Sequence, residues 1–272
     1  MPGLDYPKPF CWVMDGSAIP IPQLAFITNP QSPITVLDMN TQPHDHIVKS
    51  YDEERHHVIN QILRMGEMAA AQLESALDVV QRRDDKAAER IIANDEAIDA
   101  LERSIGHDTM TLALRGPMAR DLREILASLR IVSDIERIGD YAANVAKRSM
   151  ALNQSPPLPM TRGLHSLGTL AVEQVRDVLR AFQANDAEAA QRVRARDAEL
   201  DVEYTGLFRE MLTYMMEDAR SITPCTHLLF MAKNLERIGD HATNIAENIW
   251  FLVHGEAEMP ARVKRDETNT AT

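Results

Sequence analysis

Ile135-Glu-Arg-Ile-Gly-Asp140 and Leu235-Glu-Arg-Ile-Gly-Asp240 are nearly the same phrase written twice, 100 positions apart. Asn144 and Asn244 follow at the same offset, and upstream Asp95-Glu-Ala-Ile-Asp99 answers Asp197-Ala-Glu-Leu-Asp201 at an offset of 102. A near-constant period across most of a chain marks a duplicated structural unit, with small differences in offset absorbed in loops. Prolines supply the punctuation: Pro117, then Pro156, Pro157 and Pro159 together, then Pro224 and Pro260. The stretches between them contain none, and Asp84 and Asn185 are further N-cap candidates. Six helices are therefore predicted, at about 50–82, 85–115, 118–152, 161–184, 186–217 and 222–254. The proline cluster divides them three and three. The fold expected is all-α, two tandem three-helix bundles over residues 46–155 and 160–255.

Composition agrees. The 272 residues are 44% hydrophobic but only 5% aromatic, with 14 Met, which suits helices packed through aliphatic side chains better than a β-sandwich. Eight prolines precede His44, so residues 1–45 read as a Pro-rich tail, either a disordered interaction tail or, over its first 38 residues, sequence upstream of a true start at Met39. Ser50-Tyr-Asp-Glu53 has the form of a capping box and marks the expected start of the first helix. Residues 256–272 read as a polar C-terminal tail.

Charge narrows the function classes. A net charge of −12 argues against nucleic acid, whose binders need Lys and Arg to displace counterions, and favours cations or a basic protein surface. Cys11 and Cys225 are too few for a disulfide framework or a thiolate metal site. No apolar run approaches the ~20 residues a membrane span requires, and the N-terminus lacks the pattern of a signal peptide. The expected location is the cytoplasm, without membrane insertion.

At ~100° per residue, Glu136, Asp140 and Asn144 point the same way, as do Glu236, Asp240 and Asn244. The same angle run backwards reaches Leu122, Leu126 and Leu129, which suggests that the carboxylates continue a core-facing stripe. Asp95 and Asp99, with Glu102 a turn further, form a second acidic line on the preceding helix, and Asp197 with Asp201 repeats it. Like charges at this spacing destabilise a helix unless a cation compensates, and hard oxygen donors favour Mg, Mn, Ca or non-haem Fe. Chance could place any one such pair on a solvated face; recurrence of both pairs in both halves favours a functional face. Gly139 and Gly239, costly inside helices, predict close helix approach. His241, with Tyr141 at the matching position, reads as a surface histidine, and Arg137 and Arg237 either pair with neighbouring acids or simply balance the charge of the face.

Glu136-Arg-Ile-Gly-Asp140, Glu236-Arg-Ile-Gly-Asp240-His-Ala-Thr-Asn-Ile-Ala-Glu247, Gly116-Pro-Met-Ala-Arg-Asp-Leu-Arg123, Met65-Gly66 and Tyr214-Met-Met-Glu-Asp218 together resemble the PhoU family of phosphate-transport regulators, over about 46–255. The resemblance implies metal-binding (Glu/Asp)-x-x-x-Asp motifs, mapping to Asp95 with Asp99, Glu136 with Asp140, Asp197 with Asp201 and Glu236 with Asp240, with iron or zinc among the metals. Asn144, Asn244, Glu102 and Glu247 are further candidate ligands. Asp121 is matched by Ser221 and Glu247 by Lys147, so the two clusters need not be equivalent. The resemblance also implies a cytoplasmic adaptor, often a homodimer, between a phosphate ABC transporter's ATPase subunit and a sensor histidine kinase, restraining the phosphate-starvation response. The rival readings are a carboxylate-bridged di-metal enzyme and a metal-independent scaffold. Di-metal bundles use paired Glu-x-x-His motifs; Glu54-Arg-His-His57 stands alone here, and hydrolase and Walker-type motifs are absent, so no enzymatic activity is expected.

Overall fold

The computed structural model describes residues 43–115, 119–255 and 259. Most of the expected N-terminal tail, the Met39 start and all but one residue of the C-terminal tail lie outside the described residues. The six predicted helices form: α1 (Pro43–Arg82), α2 (Asp85–Leu114), α3 (Ala119–Leu152), α4 (Thr161–Ala184), α5 (Ala187–Glu217) and α6 (Ile222–His254). No strand occurs among the described residues.

Local chemistry sets most boundaries, and it corrects two. Asp84 caps α2 as expected, its side chain accepting from the Ala87 amide at 3.0 Å. At α5, however, the cap is Asp186, which accepts from the Ala189 amide at 2.8 Å. Asn185 instead closes α4 in the left-handed region at φ 50°, a conformation Asn tolerates better than most residues. The capping box at Ser50 is not a helix start either. Helix α1 begins at Pro43, where a missing amide is harmless, and Ser50 lies within it, its hydroxyl 3.4 Å from Glu54. Between α5 and α6 a short 3₁₀ turn, Ala219–Ser221, is capped by Asp218.

Each repeat runs up, down and up, and the two repeats pack side by side. Helices α3 and α6 lie antiparallel: Arg130 sits over the Phe251 ring, Asp134 meets His241 at 2.8 Å, and Arg148 sits over Phe230. Helices α1 and α4 cross reciprocally. A Cβ on Gly66 would run into Leu179, and a Cβ on Gly168 into Leu77, and the two contacts are related by the 102-residue offset. Arg176 clasps Glu74 with two bonds of 2.7 and 2.9 Å beside this crossing. One continuous apolar core results, with Met65, Leu73, Ile135 and Ile138 from the first repeat packed into Leu167, Val178, Leu235 and Ile238 from the second.

The linker around the proline cluster is held to the first repeat. Arg83 donates to the carbonyls of Asn153 (2.7 Å) and Ser155, and Asn153 donates to Asp85 at 2.6 Å. Cys225 is a buried free thiol, and burial pushes its pKa up, so it serves packing rather than redox or metal chemistry.

The leucine stripe on α3 is not core-facing. Leu122, Leu126 and Leu129 are 45, 42 and 36% exposed, because α3 turns Ile125, Ile131, Val132 and Ile135 inward instead. Glu136 lies at the edge of the buried arc rather than its centre, so the line running back from it along α3 falls on the exposed side.

Candidate functional site

The acidic lines meet where α2 crosses α3 and, in the second repeat, where α5 crosses α6. The glycines make the approach possible. A Cβ on Gly139 would lie 3.0 Å from Ile98 Cδ1 and 3.4 Å from Asp95 Oδ1, and one on Gly239 would lie 2.7 Å from Asp197 Oδ1. Each glycine thus lets an aspartate from the neighbouring helix lie against the backbone, as expected from their presence in helical stretches.

In the first repeat Asp95 accepts from Gln72 Nε2 at 2.7 Å, and the same amide donates to the Gly139 carbonyl at 3.1 Å. Burial still holds the Asp95 pKa above the usual carboxylate range; the Gln72 bond opposes this, and the nearby charges of Asp140 and Asp99 add to it. Glu136 is raised too, first by burial and then by Asp140, with Glu102 and Asp99 contributing. Five predicted acids, Asp95, Asp99, Glu102, Glu136 and Asp140, therefore share one electrostatic neighbourhood. Arg137 offsets it from the outside, 3.3 Å from Glu136 and 3.1 Å from Asp140.

The second repeat is drier. Asp197, Asp201 and Glu236 are 1, 2 and 5% exposed, whereas Asp95, Asp99 and Glu136 are only partly buried. Gln174, the repeat counterpart of Gln72, donates to Asp197 at 3.3 Å. Lys233 reaches Glu236 at 2.8 Å and lies 5.1 Å from the centre of the Tyr204 ring. Tyr204 occupies the place of Glu102, and Lys233 that of Ser133, so one acid is lost and one cation gained. Contacts at Gly239 with Asp197 and at Lys233 with Tyr204 fix the antiparallel register, which sets Asp201 across from Glu236. Asp240 is partly buried on the same face.

The outlying candidates do not join these clusters. Asn244 donates to Asp134 at 3.2 Å, between the repeats, and Glu247 pairs with Arg194 of α5 at 2.9 Å. Asn144 is partly buried on α3. His241 is not a surface histidine: its Nδ1 is 2.8 Å from Asp134, and its ring lies 5.7 Å from Tyr141, which stands at its own position in the other repeat. Arg237 leans over that tyrosine instead of pairing with an acid there. Glu54 of the lone Glu-x-x-His pairs with Arg115, at the end of α2, at 2.9 Å, and His57 meets Gln61 one turn along α1, so the two side chains of the motif are engaged separately.

Gln72 and Gln174 were not singled out from sequence. The signal was available, since they stand 102 positions apart in step with the aspartates they bind.

Oxygen donors of this kind suit hard cations. Among the described residues, no three His, Cys, Asp or Glu side chains already converge in the manner of a metal site. The second repeat nevertheless holds a buried acceptor beside Asp197, Gln174 Oε1, that has no hydrogen-bond partner. A hard cation would satisfy it, and Asp197, Asp201, Glu236 and Asp240 are the residues that would turn to hold such an ion.

Comparison with known proteins agrees with the duplication. The PhoU domain model matches twice, at residues 62–149 and 164–249. The chain is 68% identical over 231 residues to the "Phosphate-specific transport system accessory protein PhoU homolog" of Xylella fastidiosa strain 9a5c, covering 85% of this chain and 98% of that protein. It is 34% identical to the "Phosphate-specific transport system accessory protein PhoU" of Escherichia coli K12, covering 78 and 88% of the two chains. The crystal structure of PhoU from Pseudomonas aeruginosa superposes with a TM-score of 0.73 at 35% identity, covering 75% of this chain and 99% of that one. The Xylella and Escherichia coli relatives are named as accessory proteins of transport rather than as enzymes. With both repeats matched and the relatives aligned over nearly their whole length, the chain belongs to the PhoU family.

Proposed function

We propose that this protein regulates phosphate uptake and restrains the phosphate-starvation response when phosphate is plentiful. It works as a cytoplasmic adaptor between the ATPase subunit of a phosphate ABC transporter and a sensor histidine kinase, as a homodimer. The observation that carries a functional face is the burial of Asp197, Asp201 and Glu236 at a single helix crossing. Buried carboxylates cost stability unless compensated. Lys233 meets Glu236 at 2.8 Å, and gathering so many oxygen donors at one crossing is a costly arrangement that a functional face explains. The relatives' names support the link to phosphate transport. No helix among the described residues is long and apolar enough to cross a membrane, which fits a partner of membrane proteins rather than an embedded one.

The ligand of this face in this reading is a divalent or iron cation, Fe, Zn, Mn or Mg, which suits the oxygen donors and the unpartnered Gln174 Oε1. When bound it neutralises the clustered charge and locks α5 against α6, and in the first repeat α2 against α3. The residues themselves supply rigidity and a defined charge pattern, and a partner that prefers one such state is biased between its own signalling states. Two experiments test this. Alkaline phosphatase output in phosphate-replete cells lacking the protein should rise and fall again when residues 39–272 are restored; output that stays low removes the regulatory claim. Purified protein should melt at higher temperature with added Mn or Fe(II), and less so once Asp197 and Glu236 are neutralised; an unchanged melt removes the metal from the account.

A further inference from the structure

We propose that the outer groove between α2 and α3 docks an amphipathic helix of a partner protein, apolar over one part and bearing Lys or Arg over the next. The inference rests on the reading of the chain as an adaptor and names the chemistry that one partner must present.

Three leucines on one face of α3, Leu122, Leu126 and Leu129, stand 45, 42 and 36% exposed. They are spaced i, i+4, i+7, and at ~100° per residue that face continues through Ser133 into Glu136 and Asp140. Helix α2 runs antiparallel beside it: Asp95 lies against Gly139, while Thr109 and Leu112 share a small cavity with Ile125 and Ser128. Its own line therefore runs from Asp99 and Glu102 past Gly106 to Met110, which is 57% exposed. A Cβ at Gly106 would touch nothing within 4 Å, so no side chain covers the middle of this line on α2. From Leu122 to Asp140 it measures about 27 Å at 1.5 Å per residue, the length of a five-turn helix.

Leucines at this spacing and this exposure are the pattern that receives an amphipathic helix, and a soluble chain rarely leaves such a run uncovered. Charge decides the occupant. A second copy would bring the same acids against Glu136 and Asp140, and an anionic lipid surface is repelled by a chain of net charge −12. A helix with cations one or two turns beyond its apolar anchors satisfies both ends of the groove. The second repeat keeps Ile222 and Leu229 but has Thr226 for Leu126 and Tyr204 for Glu102, so the groove belongs to the first repeat.

The test uses the full-length chain with EDTA and a fluorescent helical peptide of about 18 residues. The peptide has Leu at i, i+4 and i+7 and Lys over the following turns; a control carries Glu for Lys. Binding of the Lys peptide alone is expected, weakened about tenfold or more by L126S with L129S. E136Q with D140N should flatten its salt dependence. The leucine variant changes exposed side chains and the carboxylate variant partly buried ones, and circular dichroism should show both folded. Equal binding of the Glu peptide, or unchanged binding by the leucine variant, overturns the proposal. So does sedimentation in which only the leucine variant loses self-association, or binding of anionic vesicles that the leucine variant loses. In cells, a wild-type chain that restores no repression defeats the regulatory reading, whereas repression by wild type and leucine variant alike defeats only the docking groove.

Discussion

Asp95 shows how a single carboxylate sits between two demands. Gln72 stabilises its charged form, yet burial and the charges of Asp140 and Asp99 outweigh that bond and raise its pKa. A folded value above the unfolded one means that ionisation opposes folding. The associated stability is fully present below the ordinary carboxylate range and is lost as pH rises through the raised folded value. Asp95→Asn, which keeps an oxygen for Gln72 to bond, should therefore melt above wild type at neutral pH, and the difference should shrink on acidification. Thermal melts of both proteins across pH 3–8, without added metal, check this; a variant that melts lower at neutral pH would show the carboxylate charge to be stabilising. Glu136→Gln should shift in the same sense, since burial and Asp140 raise its pKa as well.

At the scale of the helix, the three glycines of one fold carry different jobs. Gly106 faces open space, so Gly106→Ala should stabilise by about 0.5–1 kcal/mol through helix propensity alone. Gly239→Ala would set a methyl 2.7 Å from Asp197 and 3.0 Å from Gln174, and should destabilise by ~1–3 kcal/mol despite the same propensity gain. Gly139→Ala meets chiefly the end of Ile98, a flexible neighbour, and should fall between them. Denaturant unfolding of the three variants ranks them, and a stabilising Gly239→Ala would contradict the close crossing that positions the second carboxylate set. Helix existence was legible in the sequence because prolines and caps bound long stretches free of both. Two ends were not. Asn185 and Asp186 are both good caps, and only the left-handed turn of Asn185 assigns the cap to Asp186. Pro43 is tolerated at a first helical position, so α1 extends seven residues upstream of the apparent capping box at Ser50.

Across the whole molecule, duplication is what made the site readable. The acids recur in step with the 100- and 102-residue offsets, so the pairs stood out from 41 acidic residues that could otherwise form such spacings by chance. What the repeat could not reveal is how its copies differ in burial. Exposure depends on neighbours from other helices, and Lys233 and Tyr204 in place of Ser133 and Glu102 make the second crossing drier than the first. Nor could periodicity along α3 alone separate the buried arc at Ile125, Ile131 and Ile135 from the exposed leucines at its edge. The packing of α1 on α4 and α3 on α6 then merges both repeats into one core, which places the two carboxylate sets on a single rigid scaffold.

The most direct measurement is a phosphate-starvation reporter in cells whose only copy of this protein carries Asp197→Asn, Asp201→Asn, Glu236→Gln and Asp240→Asn together, with folding confirmed by circular dichroism. The account predicts that the folded variant fails to repress the reporter in excess phosphate, giving output near that of cells lacking the protein. Repression equal to wild type would contradict it, and would leave the buried carboxylates as structural remnants of the repeat.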